Sequence, residues 1–161
     1  MADAISVLKE DHRRVEQLFE QFADKPGADL ARQICDELAI HAAVEAELVY
    51  PLLRTKVDRC LADEARREHG ETWDLMAEIE DMLDNSQALP AAVDQLRDMV
   101  ARHVGEEEGT VFPRIQERVG DILGRTGDEI AERRKELTAK VEADRAIGIP
   151  ATSSVPWPAS L

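Results

Sequence analysis

An all-α chain is what the sequence predicts, on three observations. Aromatic residues make up only 4% of the 161 positions, with a single tyrosine. β-branched alternation is absent, whereas Ala, Leu, Glu and Arg fill long stretches at the 3-4 spacing of a helical face. Proline and glycine then divide those stretches into units of helix length. The expected architecture is one domain, an antiparallel four-helix bundle with an additional C-terminal helix and a disordered tail.

Each element has a local reason. Residues 3–23 form a first helix that stops at Lys25-Pro26-Gly27, where the proline removes a donor and the glycine permits a turn. A second helix covers residues 29–57, and a third covers 61–83 before Asp84-Asn85-Ser86-Gln87. Pro90 then stands in the first turn of a fourth helix, the place proline prefers, and this helix continues to residue 119. Gly120, Gly124 and Gly127 interrupt the pattern. Thr126-Gly127-Asp128-Glu129 has the Thr-x-x-Glu form of a capping box, which predicts a fifth helix from there to residue 146. Residues 148–161 hold three of the seven prolines beside Thr152, Ser153 and Ser154, and read as a flexible tail without a core of its own. The chain thus divides into a bundle (1–120), a C-terminal helix (121–147) and a tail (148–161).

Charge narrows the classes of function. Thirty-four acidic residues against 20 basic ones give a net charge of −14, which repels phosphate backbones and anionic leaflets. Neither nucleic acid nor a membrane is an expected partner. No apolar run approaches the ~18 residues of a membrane span, and the first twenty residues carry charges in place of a signal sequence. Cys35 and Cys60 sit in no CxxC or zinc-ligand spacing, so they read as reduced thiols of a cytoplasmic protein, Cys35 as a small core filler. No Ser/His/Asp arrangement, phosphate-cradling glycine loop or DNA-reading segment is present.

The inward stripes carry the chemistry. They read Ile5, Leu8, His12, Val15, Phe19, Phe22 on the first helix and Ile34, Leu38, His41, Glu45, Leu48, Leu52 on the second. The third gives Ala62, Ala65, His69, Thr72, Met76, Ile79, Leu83, and the fourth Val93, Leu96, Val100, His103, Glu107. All four histidines fall on core stripes. At ~1.5 Å of rise per residue in antiparallel helices, their distances from the shared turns put the four imidazoles in one layer. Glu45 and Glu107 lie one turn from His41 and His103 on the same faces. A lone stripe histidine is ordinarily a satisfied core residue, but six such groups converge here. Two carboxylates buried without a compensating charge cost several kcal/mol each, and a bound metal supplies that charge to imidazole and carboxylate donors.

The second and fourth helices also repeat each other. His41-x-x-x-Glu45 is followed by Tyr50-Pro51, and His103-x-x-x-Glu107 by Phe112-Pro113, a coincidence on the order of one in several thousand by chance. Ferritin-like diiron proteins instead use more carboxylates and Glu-x-x-His, and none of these four histidines has Glu three residues before it.

The order His12, His41-x-x-x-Glu45, His69, His103-x-x-x-Glu107 resembles the hemerythrin-like HHE cation-binding family over about residues 5 to 115. The resemblance implies a four-helix bundle around a non-haem centre of two iron ions, oxo- or hydroxo-bridged. Glu45 and Glu107 would bridge the pair, and His12, His41, His69 and His103 would be terminal ligands. Manganese and zinc accept the same donors but are not what the family implies. Oxygen-carrying hemerythrins have His-x-x-x-His on the third helix and His-x-x-x-x-Asp on the fourth. Here those places hold Trp73 and Glu108, and the smaller number of imidazoles weighs against reversible oxygen carriage.

About five donors per iron leave open positions. Tyr50, just before the helix-distorting Pro51, is expected either to bend back as a phenolate ligand or to pack at the bundle end as Phe112 should. Trp73 reads as an apolar lid. One of Glu106 and Glu108 is a candidate acceptor for an imidazole N–H, although charged flanks of a stripe are ordinarily solvated. On the fifth helix, Ile130, Leu137 and Val141 form a narrow seam that suits packing on the domain or a homodimer contact. The functional expectation is catalase- or peroxidase-like reaction with hydrogen peroxide or a related small oxidant. Its alternative is a dioxygen, nitric oxide or iron binding protein acting as sensor, store or donor.

Overall fold

Asp3 sets the start of the first helix, α1 (Ala4–Asp24), where its carboxylate accepts the Ser6 N–H at 2.9 Å. The computed structural model describes residues 2–155 and 157. After Pro26-Gly27 the chain enters α2 (Ala28–Val44), which continues without a break through a π-helical turn, π1 (Glu45–Val49), a single turn α3 (Tyr50–Leu52) and a second π turn, π2 (Leu53–Val57). Asp58 ends this rod and caps the next, accepting the N–H groups of Cys60 and Leu61 to begin α4 (Arg59–Asp81). Asn85 then folds an Asx turn by accepting the N–H groups of Gln87 and Ala88. The fourth rod is α5 (Leu89–Glu106), π3 (Glu107–Val111) and α6 (Phe112–Val119).

These rods form a ring in which α1 lies beside α2, α2 beside α4, α4 beside α5, and α5 against α1. Short connections make neighbours antiparallel. Leu8, Ile34, Met76, Ile79, Leu96 and Phe112 are fully buried between them. Among the described residues there is no strand and no helix long and apolar enough to cross a membrane. A 3₁₀ turn at Gly120–Ile122 leads into α7 (Leu123–Ala146), which lies across α1 and α2. Its seam of Ile130, Leu137 and Val141 is buried there, so packing on the domain is how it is used.

Two sequence expectations change. α7 begins at Leu123, not at the Thr126 capping box; Thr126 lies inside the helix, donating to the Ile122 carbonyl at 3.1 Å. Gly127 is the reason, since an added Cβ there would stand 2.4 Å from the Ala2 carbonyl oxygen. It is a contact glycine between α7 and the start of α1, not a helix breaker. The described part of the expected tail is also ordered by packing. Gly148 turns the chain at φ 83°, and α8 (Ala151–Ser154) docks between α2, α4 and α7. Ala151, Ser154 and Val155 are buried, Thr152 donates to Glu80, and Ser154 donates to Asp144 at 2.7 Å. The segment needs no core of its own because it completes the domain's. Residues 156 and 158–161 of the expected tail lie outside the described residues.

Candidate metal centre

Two of the three π turns, π1 and π3, begin at the two stripe glutamates. The Tyr50 N–H donates to the Glu45 carbonyl, and the Phe112 N–H to the Glu107 carbonyl, each five residues back. A proline follows in both rods. Pro51 and Pro113 have no N–H to give, and their rings would crowd the carbonyl four residues earlier in a regular α-helix. The wider turn relieves that conflict. It also brings the residue five places on over the same face, so Tyr50 and Phe112 both stand over the histidine layer.

The four imidazoles form one layer, with ring centroids 5.0 Å apart for His12 and His41, 6.1 Å for His41 and His69, and 4.3 Å for His69 and His103. Glu45 and Glu107 are buried within it. His41 Nε2 lies 3.4 Å and His69 Nε2 3.3 Å from Glu45 Oε2; His12 Nε2 and His103 Nε2 each lie 3.2 Å from Glu107. The donor atoms gather into two clusters, His12, His41, Glu45, Glu107 and Glu45, His69, His103, Glu107, within each of which all lie within 4.8 Å of one another. Both glutamates belong to both clusters.

Three imidazoles are hydrogen-bonded from outside through Nδ1, and the fourth faces an acid there. His12 donates to Glu108 Oε1 at 2.9 Å and His103 to Glu68 Oε2 at 2.6 Å, since a carboxylate only accepts. His41 Nδ1 faces Asp11 Oδ2 at 3.5 Å. His69 Nδ1 lies 2.9 Å from the Tyr50 hydroxyl, which donates onward to Glu45 Oε2 at 3.2 Å. These partners fix the tautomers and turn the Nε2 lone pairs inward, as the outer hydrogen bonds of metal-binding histidines do.

Inward, the donors lack a partner. Glu45 Oε1, Glu107 Oε2 and His12 Nε2 are buried with no hydrogen bond, and His69 Nε2 faces His103 Nε2 at 2.7 Å. Two imidazoles whose Nδ1 protons are committed elsewhere approach so closely only around a cation or a shared proton. Burial and the Glu107 charge push the Glu45 carboxyl up to about 7, as expected of two carboxylates confined together. Burial alone would lower the His41 imidazolium, but Glu45 and Asp11 reverse this and hold it at about 9. The donor set is therefore consistent with a dimetal site whose ions supply the charge the buried acids lack.

All six expected imidazole and carboxylate groups are together, and Tyr50 is beside them. Glu108 is a correction to the solvated flank expected there, since it links His12 to Arg13, 2.9 Å from Glu108 Oε2. Glu106 makes no such contact with an imidazole. Asp11, Glu68 and Trp157 also belong to the surroundings of the site, off the inward stripes of the sequence. Trp157 sets its ring 5.8 Å from His69 and 5.6 Å from the buried Trp73. The signal for the two acids is the pair of acid-histidine dipeptides Asp11-His12 and Glu68-His69. Neighbours in a helix do not face each other, so each acid serves the histidine of the adjoining rod. Cys35 is buried, with its thiol pushed up by burial and its Sγ 3.9 Å from the Met76 carbonyl, a core filler as expected.

Above the layer is an internal cavity of about 30 Å³. The four histidines line it together with Val15, Leu38, Trp73, Met76 and Val100. A groove on the outer surface between α1 and α5 shares His12, Val100 and Val104 with it.

Residues 3–115 match the family model described as Hemerythrin HHE cation binding domain. A curated protein of Nostoc sp. (strain PCC 7120) named DNA nickase is 29% identical over 114 residues, 68% of this chain. The chain spans about a third (32%) of that relative's length. Among solved structures, the crystal structure of a hemerythrin HHE cation binding domain-containing protein, the Rv2633c homolog from Mycobacterium kansasii, superposes with a TM-score of 0.82. It is 22% identical, and the match covers 98% of this chain and 100% of that one, which shows a shared fold.

Proposed function

The chain belongs to the hemerythrin HHE cation-binding domain family, and from that premise we propose that it is a non-haem diiron protein reacting with hydrogen peroxide or a related small oxidant. One observation carries the reading: two donor clusters share Glu45 and Glu107, with buried oxygens left unpartnered between them. His12 and His41 would complete one position, and His69 and His103 the other. Family membership supports iron over manganese or zinc, which accept the same donors.

When bound, the irons supply redox chemistry toward small oxidants. The chain's own part is binding and exclusion. Asp11, Glu68, Glu108 and Tyr50 stand at the outer nitrogens of the imidazoles and orient the inner ones toward the two glutamates. Val15, Leu38, Met76 and Trp73 keep bulk water from the layer. A cavity of about 30 Å³ admits a molecule of two or so heavy atoms, which selects peroxide, dioxygen or nitric oxide over organic substrates. Entry is through the α1–α5 groove at Val100 and Val104. Nicking of DNA does not follow from the Nostoc relative, given the short share of that protein and a charge of −14 here.

The test is metal content per chain with the visible spectrum, before and after anaerobic addition of peroxide. Two irons, a spectral change and gas evolution are expected. Stable binding of dioxygen or nitric oxide without turnover, which the apolar walls also suit, would assign a sensor or carrier instead. A folded chain isolated from iron-replete medium without iron would overturn the diiron reading.

A further inference from the structure

α7 lies beyond residue 115, where the family match ends, yet one of its side chains reaches the outer layer of the metal centre. Arg134 is only 14% exposed, and its Nε donates to Asp11 Oδ1 at 2.7 Å. A second guanidinium nitrogen pairs with Glu37 on α2. Arg14 also donates to Asp11 Oδ1, at 2.8 Å. With Oδ1 occupied by two guanidinium groups, Asp11 presents Oδ2, which is buried, has no hydrogen bond and faces His41 Nδ1. His103 and His12 are hydrogen-bonded to acids of the bundle itself, whereas His41 faces an acid anchored on α7.

We propose that Arg134 is a positioning residue for one of the two metal positions, acting through Asp11 on His41. The inference rests on the dimetal reading above. A carboxylate fixed at one oxygen by a planar guanidinium that is itself anchored on Glu37 keeps its other oxygen in place, and His41 keeps Nε2 directed at Glu45. Outer partners of this kind are worth about 10- to 100-fold in metal affinity. Arg133, the adjacent residue, docks the same helix through Glu47 at 2.7 and 3.0 Å but touches neither Asp11 nor His41. It separates the docking of α7 from the positioning of Asp11.

The experiment is anaerobic calorimetric titration of Fe²⁺ into the metal-free full chain, in wild type, Arg134→Met, Arg134→Lys, Arg133→Met, Asp11→Asn and His41→Ala. In Arg134→Met, one of two binding steps should weaken by about tenfold or more, the same step that His41→Ala removes. Arg134→Lys should recover part of the loss and Arg133→Met should keep both steps. Asp11→Asn, close in shape to the parent, should weaken the same step even if Arg134→Met fails to fold. Two steps of wild-type affinity in Arg134→Met or Asp11→Asn, or an equal loss in Arg133→Met, would overturn the inference and leave the dimetal reading intact. No Fe²⁺ uptake by wild type would overturn both.

Discussion

Tyr50 and Phe112 occupy the same place in the two halves of the bundle but treat their histidines differently. Phe112 stacks on His12, with centroids 5.8 Å apart and planes 7° from parallel, whereas the Tyr50 hydroxyl sits 2.9 Å from His69 Nδ1 and 3.2 Å from Glu45 Oε2. The hydroxyl does for His69 what the Glu108 carboxylate does for His12. Tyr50→Phe makes the halves alike. In the iron-loaded chain an unchanged visible spectrum in this variant is expected of a hydrogen-bonding partner of His69 and Glu45; loss of an intense phenolate-to-iron band would instead show ligation by Tyr50.

Sharing of the glutamates makes the six donors unequal. Glu45 belongs to both clusters and His41 to one, so Glu45→Ala is expected to deplete both metals and His41→Ala chiefly one. The melting temperature of the metal-loaded chain should fall in both variants, and further in Glu45→Ala, because bound metal stabilises the folded state by mass action. Elemental analysis and calorimetry check this. Full metal loading at an unchanged melting temperature in both would contradict it.

Metal and proton compete at His41. In the metal-free chain burial disfavours its imidazolium, but Glu45 and Asp11 prevail and hold it at about 9, above the ordinary 6.5. A raised histidine contributes stability that is fully present below 6.5 and lost as pH rises through 9, on the order of 3 kcal/mol across that window. Urea unfolding of the metal-free chain should therefore show falling stability from pH 6.5 to 9, with a flatter profile in His41→Gln. Metal uptake at pH 7.5 should release protons into a weakly buffered solution.

Two glycines test the packing of helices. An added Cβ at Gly105, inside α5, meets nothing within 4 Å, and Gly105→Ala should stabilise by about 0.5–1 kcal/mol through the unfolded chain. At Gly127 the same methyl meets the backbone of Ala2, Asp3 and Ala4 at 2.4 to 2.8 Å. Gly127→Ala should destabilise by about 1–3 kcal/mol as α7 is pushed from the start of α1. Chemical denaturation of the pair reads both, and equal signs would refute the contact.

The bundle and six donors were legible because both are written in helical spacing. His12, His41, His69 and His103 interrupt apolar stripes, and the His-x-x-x-Glu repeats carry their own proline markers. The outer layer was not legible in that way. Asp11 and Glu68 act across the gap between rods, on His41 and His103, and no spacing within one helix records which neighbour a side chain faces. Trp157 and Val155 were hidden for another reason. Each is a single apolar residue among prolines and hydroxyls, and only packing of this segment on the domain gives it a place, Trp157 beside His69 and Trp73. The start of α7 was misplaced because a glycine required by a close approach looks, in sequence, like a break.

The π turns at Glu45 and Glu107 work as phase shifts in otherwise periodic tracks. Each accommodates one residue more than a regular turn, so the donor-bearing segment upstream and the aromatic-proline segment downstream keep independent angular settings. Deleting a single residue from such a turn, Ala46 in one rod or Gly109 in the other, would leave a turn of regular α pitch, in which the Pro51 or Pro113 ring again crowds the carbonyl four residues earlier. Tyr50 or Phe112 would then be displaced from its histidine by the resulting kink, while His41-x-x-x-Glu45 or His103-x-x-x-Glu107, upstream of the change, would keep its shared face. Tolerance to length change along these rods is therefore quantised: loops absorb residues freely, and the stretch between glutamate and proline absorbs none.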